Sequence, residues 1–198
     1  MATAAGRDAA PLSGREGDLV VVRGGGDLGT GVVVRLKAAG FRVVIMELGK
    51  PLAIRRSASL AEAVYEGQCT VEGVHARLAD TLDEARALLA EGIVPVLIDP
   101  DCTYLPALAP VAVVDAVMAE RNTGIRRGMA PVVIALGPGF EAGGDADAVI
   151  ETDDGHDLGR VILHGSAPEH SLTVSDKSRA VAGGVLEALL LLKGRVKR

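Results

Sequence analysis

The chain has 198 residues, 48% of them hydrophobic, with a mean hydropathy of +0.30, enough to bury one core without disulfides or a structural metal. A net charge of −5, a pI near 5.4 and an aromatic content of 2% with no Trp argue against a nucleic-acid binder, which wants basic surface and stacking rings. Cys69 and Cys102 stand alone, with no C-x-x-C and no ligand-spaced His, and read as two thiols of a reduced, cytoplasmic protein.

Residues 1–17 carry no apolar signal-like core and read as a disordered lead-in. No apolar run reaches the length of a membrane span. Residues 19–22 read as a first strand, and residues 28–39 as a helix closed by Gly40. Residues 42–47 follow as a second strand, residues 60–66 as a helix stopped by Gly67, and residues 68–71 as a short strand. Residues 81–91 carry the clearest helix signals: Asp80 or Thr81 to cap it, Asp83 and Glu84 in its first turn, Gly92 at its end. Residues 93–98, 111–118 and 132–136 are nearly continuous apolar runs, as expected of strands buried on both faces. Residues 148–152 and 160–163 flank a polar turn and read as a hairpin. Residues 166–174 read as a linker, and residues 175–193 as a final helix capped by Ser175 or Asp176, interrupted by Gly183 and Gly184. Strands alternating with helices give an α/β fold: a Rossmann-like, mostly parallel sheet over residues 18–165 with flanking helices, a short β-hairpin and a C-terminal helix.

The stretch "RGGGDLGTG" joins the first strand to the first helix. Gly24, Gly26 and Gly29 fit G-x-G-x-x-G in the strand-then-helix context that the mechanism requires. There the glycines allow the tight turn, the approach of a diphosphate and close helix packing, while helix-start N–H groups face the anion. Gly25, Asp27, Leu28 and Thr30 complete the turn, with Asp27 read as a cap for the helix. Glu47 ends the second strand 18 residues after Gly29, close to the spacing of a ribose-binding acid. Arg55 and Arg56 are candidates for a second anion, which leaves NAD-like and NADP-like ligands open. Gly137, Pro138 and Gly139 form a second glycine turn after a strand and are candidates for the same crevice.

Other polar groups are weaker candidates. Asp99, Asp101 and Asp115 end strands, where turn chemistry is the simpler explanation than acid–base work or Mg²⁺ binding. Asn122, Thr123, Arg126 and Arg127 could contact anions or amides, and Glu151, His156 and Arg160 flank the hairpin turn, with His156 read as a surface residue. His75, His164 and His170 form no ligand-spaced set. No nucleophile-and-base pattern emerges, so a binding or carrier role is favoured over catalysis. The rival reading is an NAD(P)-dependent oxidoreductase, against which Tyr65 and Tyr104 both lack a Y-x-x-x-K context.

The blocks "RGGGDLGTGVVVRLKAAGFRVVIMELGKPLAIRRSASLAEAVYEG", "VEGVHARLAD", "VDAVMAERNTG", "APVVIALGPGFEAGGDADAVIETDDGHDLGRVI" and "SDKSRAVAGGVLEALL" resemble, in order, the YqeB-like family, over residues 20–167 and 175–192. That family is named for selenium-dependent molybdenum hydroxylase systems. The resemblance implies a cytoplasmic accessory protein, distantly similar to XdhC-type maturation factors, that handles molybdenum cofactor, a phosphate-bearing pterin, for a molybdenum hydroxylase client. It assigns no catalytic residues; composition and the lack of a long apolar run argue against a nucleic-acid or membrane partner, and a homo-oligomer stays open. Two departures stand out. Only "HGSAPEHSLTV" joins "GRVI" to "SDK", where the family carries a glycine-rich β segment, and Glu120 stands before Arg121 where the family tends to have Lys.

Overall fold

Valine-rich runs, apolar at every position, build the centre of a sheet in the computed structural model, which describes residues 17–53, 55–119, 121–168 and 177–192. In chain order the elements are β1 (Leu19–Arg23), α1 (Asp27–Ala38), β2 (Arg42–Glu47), two 3-10 turns (Arg56–Ala58 and Leu60–Glu62), α2 (Ala63–Glu66), β3 (Gln68–Val71) and β4 (Val74–Ala79). Then follow α3 (Leu82–Ala90), β5 (Val94–Ile98), α4 (Leu105–Leu108), β6 (Ala112–Asp115), β7 (Val132–Leu136), β8 (Glu141–Ala142), β9 (Ala148–Ile150), β10 (Val161–Ile162), β11 (Gly165–Ser166) and α5 (Ser178–Leu191).

Among the described residues the main sheet has nine strands in the order β10-β9-β7-β6-β1-β2-β5-β4-β3. Every pairing is parallel except the two outer ones, β3–β4 and β9–β10, so the fold is a Rossmann-like α/β sheet. β8 and β11 form a separate antiparallel pair. The chain leaves β1 toward β2 on one side and later returns to lay β6, β7 and β9 on the other. The switch point, where such folds place ligands, is therefore the β1–β6 boundary.

Strand alternation divides the core. Val20 and Val22 point to a layer with Val32, Val33 and Leu36 of α1 and Val181, Val185 and Leu189 of α5. Leu19 and Val21 point the other way, to Ala85 and Leu88 of α3 and Leu105 of α4. Both faces are covered, as continuous apolar strands require. α3 has the expected ends: Thr81 Oγ1 accepts from the Glu84 N–H at 3.1 Å, Glu84 Oε2 accepts from the Asp80 N–H at 3.0 Å, and Gly92 turns with φ +79°.

Several boundaries differ from the sequence reading. α1 begins at Asp27 with Gly26 as its N-cap. Residues 60–66 enter as a 3-10 turn before α2. β6 stops at Asp115, because Ala116–Met118 leave the sheet to form the crevice loop. β4 and α4 were not anticipated. α5 starts after Lys177, which makes no side-chain capping bond; Ser175 and Asp176, like most of the lead-in and of the linker, lie outside the described residues.

Candidate functional site

β1 delivers the chain to the switch point, and Gly24 turns it with φ +91°. A Cβ on Gly24 would sit 3.0 Å from the Ala116 backbone, so only glycine lets the two strand ends close up. The Gly24 N–H donates to Met46 O at 2.8 Å. Gly25 is enclosed: its carbonyl accepts from Ser59 Oγ at 2.8 Å, Thr30 Oγ1 at 2.9 Å and the Ala61 N–H at 3.0 Å. A Cβ on Gly29 would lie 2.0 Å from Gly24 O, which fixes how closely α1 folds over the turn. Gly26 alone in this set meets nothing within 4 Å and has an ordinary φ of −65°. It opens to the crevice at the start of α1, where first-turn N–H groups have no intrahelical partner.

The charged groups predicted around this turn are partly assembled. Glu47 is buried against it; Oε2 accepts from the Gly25 N–H at 2.6 Å and Oε1 from the Leu48 N–H at 2.7 Å. Asp27 does not cap α1. Its Oδ2 accepts from Arg55 Nε at 2.5 Å, while Oδ1 is buried with no hydrogen-bond partner among the described residues. The reason is positional: Asp27 is already the first helical residue, one step past the capping position. Arg55 thus stands beside the turn. Arg56 turns away, onto Glu62 and over the Tyr65 ring at 4.6 Å. Thr30 is also committed inward, since its Oγ1 accepts from the Leu60 N–H at 2.9 Å, and Leu28 is half-buried against the core.

Gly137, Pro138 and Gly139 follow β7 at the same sheet edge, with φ +77° and +89° at the two glycines. A Cβ on Gly137 would meet Thr152 Oγ1 at 2.7 Å and Met118 Cε at 3.1 Å. The loop after β6 thus stands between the two glycine turns.

Sequence reasoning missed Arg23. It is buried at the end of β1, in register with Asp115 at the end of β6, and Nη1 donates to Asp115 Oδ2 at 2.8 Å. The same side chain donates to Pro100 O at 3.1 and 2.9 Å, to Thr123 Oγ1 at 2.7 Å and to Thr123 O at 3.1 Å. One guanidinium therefore ties the loops after β5 and β6 to β1. The signal was present: "VVVR" and "AVVD" each end an apolar run in an opposite charge. A small cleft of about 60 Å³ lies beside it, lined by Arg23, Asp101, Cys102 and Thr123.

The other candidates are mostly built into the scaffold. Asp99 accepts from the Thr103 N–H, Thr103 Oγ1 and the Tyr104 N–H, as turn chemistry predicts. Asn122 Oδ1 accepts from the Gly124 and Ile125 N–H groups, and Arg127 bridges Asp147 and Gly143 O. Glu151 accepts from the Thr152 and Asp153 N–H groups; Arg126, Arg160 and His156 are exposed. Among the described residues no group of three His, Cys, Asp or Glu could hold a metal, and no helix is long and apolar enough to cross a membrane. Both cysteines are free thiols; burial pushes the Cys102 thiol up to about 11 and also raises that of Cys69.

The chain is similar to YqeB of Escherichia coli K12. The two are 48% identical over 187 residues, covering 90% of this chain and 35% of YqeB, whose description reads "uncharacterized protein". The chain therefore spans about a third of that relative's length. No protein-family model matches the chain, and a search of solved structures gives no significant match.

Proposed function

We propose that this chain is a YqeB-like accessory protein of a molybdenum hydroxylase system, binding a phosphate-bearing nucleotide or molybdenum-type cofactor at the glycine turn. The observation that carries the reading is Gly26, an uncovered glycine at the N-terminus of α1 and at the switch point. The similarity to YqeB supports the family assignment; the client hydroxylase and the cofactor are inferences from the resemblance.

In this reading a phosphate oxygen lies against Gly26 and receives the first-turn N–H groups of α1, with the Arg55 cation beside it. Asp27 and Glu47 would repel a bare anion. Arg55 compensates Asp27, and the two backbone N–H groups at Glu47 satisfy its oxygens along one lone pair each. The remaining lone pairs of Glu47, and Oδ1 of Asp27, would accept hydroxyls of a ribose or pterin side chain. The bound group would supply the redox chemistry; the chain would hold it and keep it from water before transfer.

Gly26→Val tests the reading. Open space and an ordinary φ leave the fold intact, while the branched side chain fills the phosphate seat. Native mass spectrometry and calorimetry with NAD, NADP, nucleoside diphosphates and molybdopterin species should show binding to the parent chain and at least a tenfold loss in the variant. Equal affinity of both chains for every species would overturn the assignment.

A further inference from the structure

A second cleft, of about 260 Å³, opens between α1, α5 and the β3–β4 turn. It lies where the helices come close together: a Cβ on Gly31 would lie 2.5 Å from Ser178 Cβ. Arg35 lies four residues after Gly31, hence on the same face of α1, and Arg179 follows Ser178 on α5. Arg35 and Arg179 both line the cleft, and Glu72, from the turn between β3 and β4, lines it as well.

The charge pattern distinguishes this cleft. Arg23, Arg55, Arg56, Arg86, Arg127 and Arg160 each pair with a carboxylate, whereas Arg35, Arg42, Arg77, Arg121, Arg126 and Arg179 form no ion pair among the described residues; of these six, Arg35 and Arg179 line one cleft together. Glu72, which shares that cleft, forms no ion pair among the described residues either. Two like charges facing one space favour a ligand that neutralises both, and the planar guanidinium fork matches a phosphate. Glu72 repels a second anionic group and accepts a hydrogen bond from a donor. Its volume suits a ligand smaller than a whole dinucleotide.

We infer that this cleft is a binding site for a small phosphorylated ligand that also carries a hydroxyl or amino group. Arg35 and Arg179 grip the phosphate, and Glu72 accepts from the donor at the other end. The site is separate from the glycine turn. Arg35 lies nine residues beyond Gly26 along α1, about 13 Å of helix rise.

The test uses the full chain and calorimetric titration with sn-glycerol 3-phosphate, with inorganic phosphate and glycerol as comparisons. Saturable binding of glycerol 3-phosphate is expected, tighter than that of inorganic phosphate, with glycerol silent. Arg35→Gln and Arg179→Gln, both exposed and checked for folding by circular dichroism, should each weaken it at least tenfold. Glu72→Ala, which removes the acceptor, should erase the preference over inorganic phosphate. Gly26→Val should leave all of this unchanged, which separates this site from the glycine turn. No saturable binding at millimolar ligand, full affinity in both arginine variants, or loss of binding in Gly26→Val would each overturn the assignment.

Discussion

Replacing Arg23 by Ala removes the cation from a carboxylate that is almost completely buried. The Asp115 side chain is 1% exposed and that of Arg23 is 10% exposed, so water cannot take over the lost partner. Asp115 would keep only the Val117 N–H, at 3.1 Å. Breaking a buried pair in this way costs about 3–5 kcal/mol. Pro100 O, Thr123 O and Thr123 Oγ1 lose their donor at the same time. Arg23→Lys should recover only part of the loss, because one ammonium with three donors cannot reach acceptors spread over two loops and the end of β6. The double change Arg23→Met with Asp115→Leu leaves neither charge buried. It should be more stable than the sum of the single losses by well over 1 kcal/mol. Urea unfolding with a constant slope measures each value. A loss below about 1 kcal/mol for Arg23→Ala, or strict additivity in the double variant, would refute the view of Arg23 as the tie between β1 and the loops after β5 and β6.

The adjacent glycines of α5 should respond with opposite signs. Gly183 meets nothing within 4 Å, so Gly183→Ala should stabilise by about 0.5–1 kcal/mol in thermal unfolding. A Cβ on Gly184 would sit 2.2 Å from Gly159 O, a backbone atom, so Gly184→Ala should destabilise by about 1–3 kcal/mol. Thr81→Ala removes the acceptor for the Glu84 N–H and should lower stability by about 1 kcal/mol, with hydrogen exchange rising first at the start of α3. Cys102, raised to about 11 by burial, should stay silent to a disulfide reagent at pH 8 in the folded chain. Its folded value lies above the ordinary 9.0, so its contribution to stability is whole below pH 9 and is lost as pH rises towards 11. Cys102→Ala should remove that part of the alkaline loss.

The strands were legible because their chemistry is local. "LVVV", "VVIM" and "VVIAL" are apolar at successive positions, which only a sheet covered on both faces can bury. α3 was legible for the same reason, since its caps lie within four residues of each other. β4 was not, although Glu72 and Gly73 at φ +47° and +79° make the two-residue turn of a tight hairpin. Its polar alternation, "VHARLA", lies on a half-exposed outer region of the sheet and gives a weak apolar signal. Strand order was not legible either. β5 inserts between β2 and β4, a choice made by non-local pairing. The Arg23–Asp115 pair depends on that same long-range register, as does the inward turn of Thr30 onto a segment 30 residues away.

The glycine fingerprint itself divides once the contacts are known. Gly24 is required by its φ of +91° and the Ala116 backbone, and Gly29 by the carbonyl of Gly24. Both would be needed to close the β1–α1 turn against β6 even with nothing bound. Those two glycines therefore report on packing, and substituting them would disrupt the turn whether or not it holds a ligand; a Cβ on Gly25 would press less severely, on Ala61 N at 3.1 Å and Ile45 Cγ2 at 3.2 Å. Gly26 is different: no neighbour of its own chain asks for glycine there, and its backbone angles do not either. A bare residue that the fold does not need is the one place in the motif where loss of binding and loss of structure come apart. Gly29→Ala should therefore lower stability and binding together, whereas Gly26→Val should lower binding with only the cost of a poorer N-cap, about 1 kcal/mol. A Gly26→Val chain as unstable as Gly29→Ala would mean that the motif serves packing throughout.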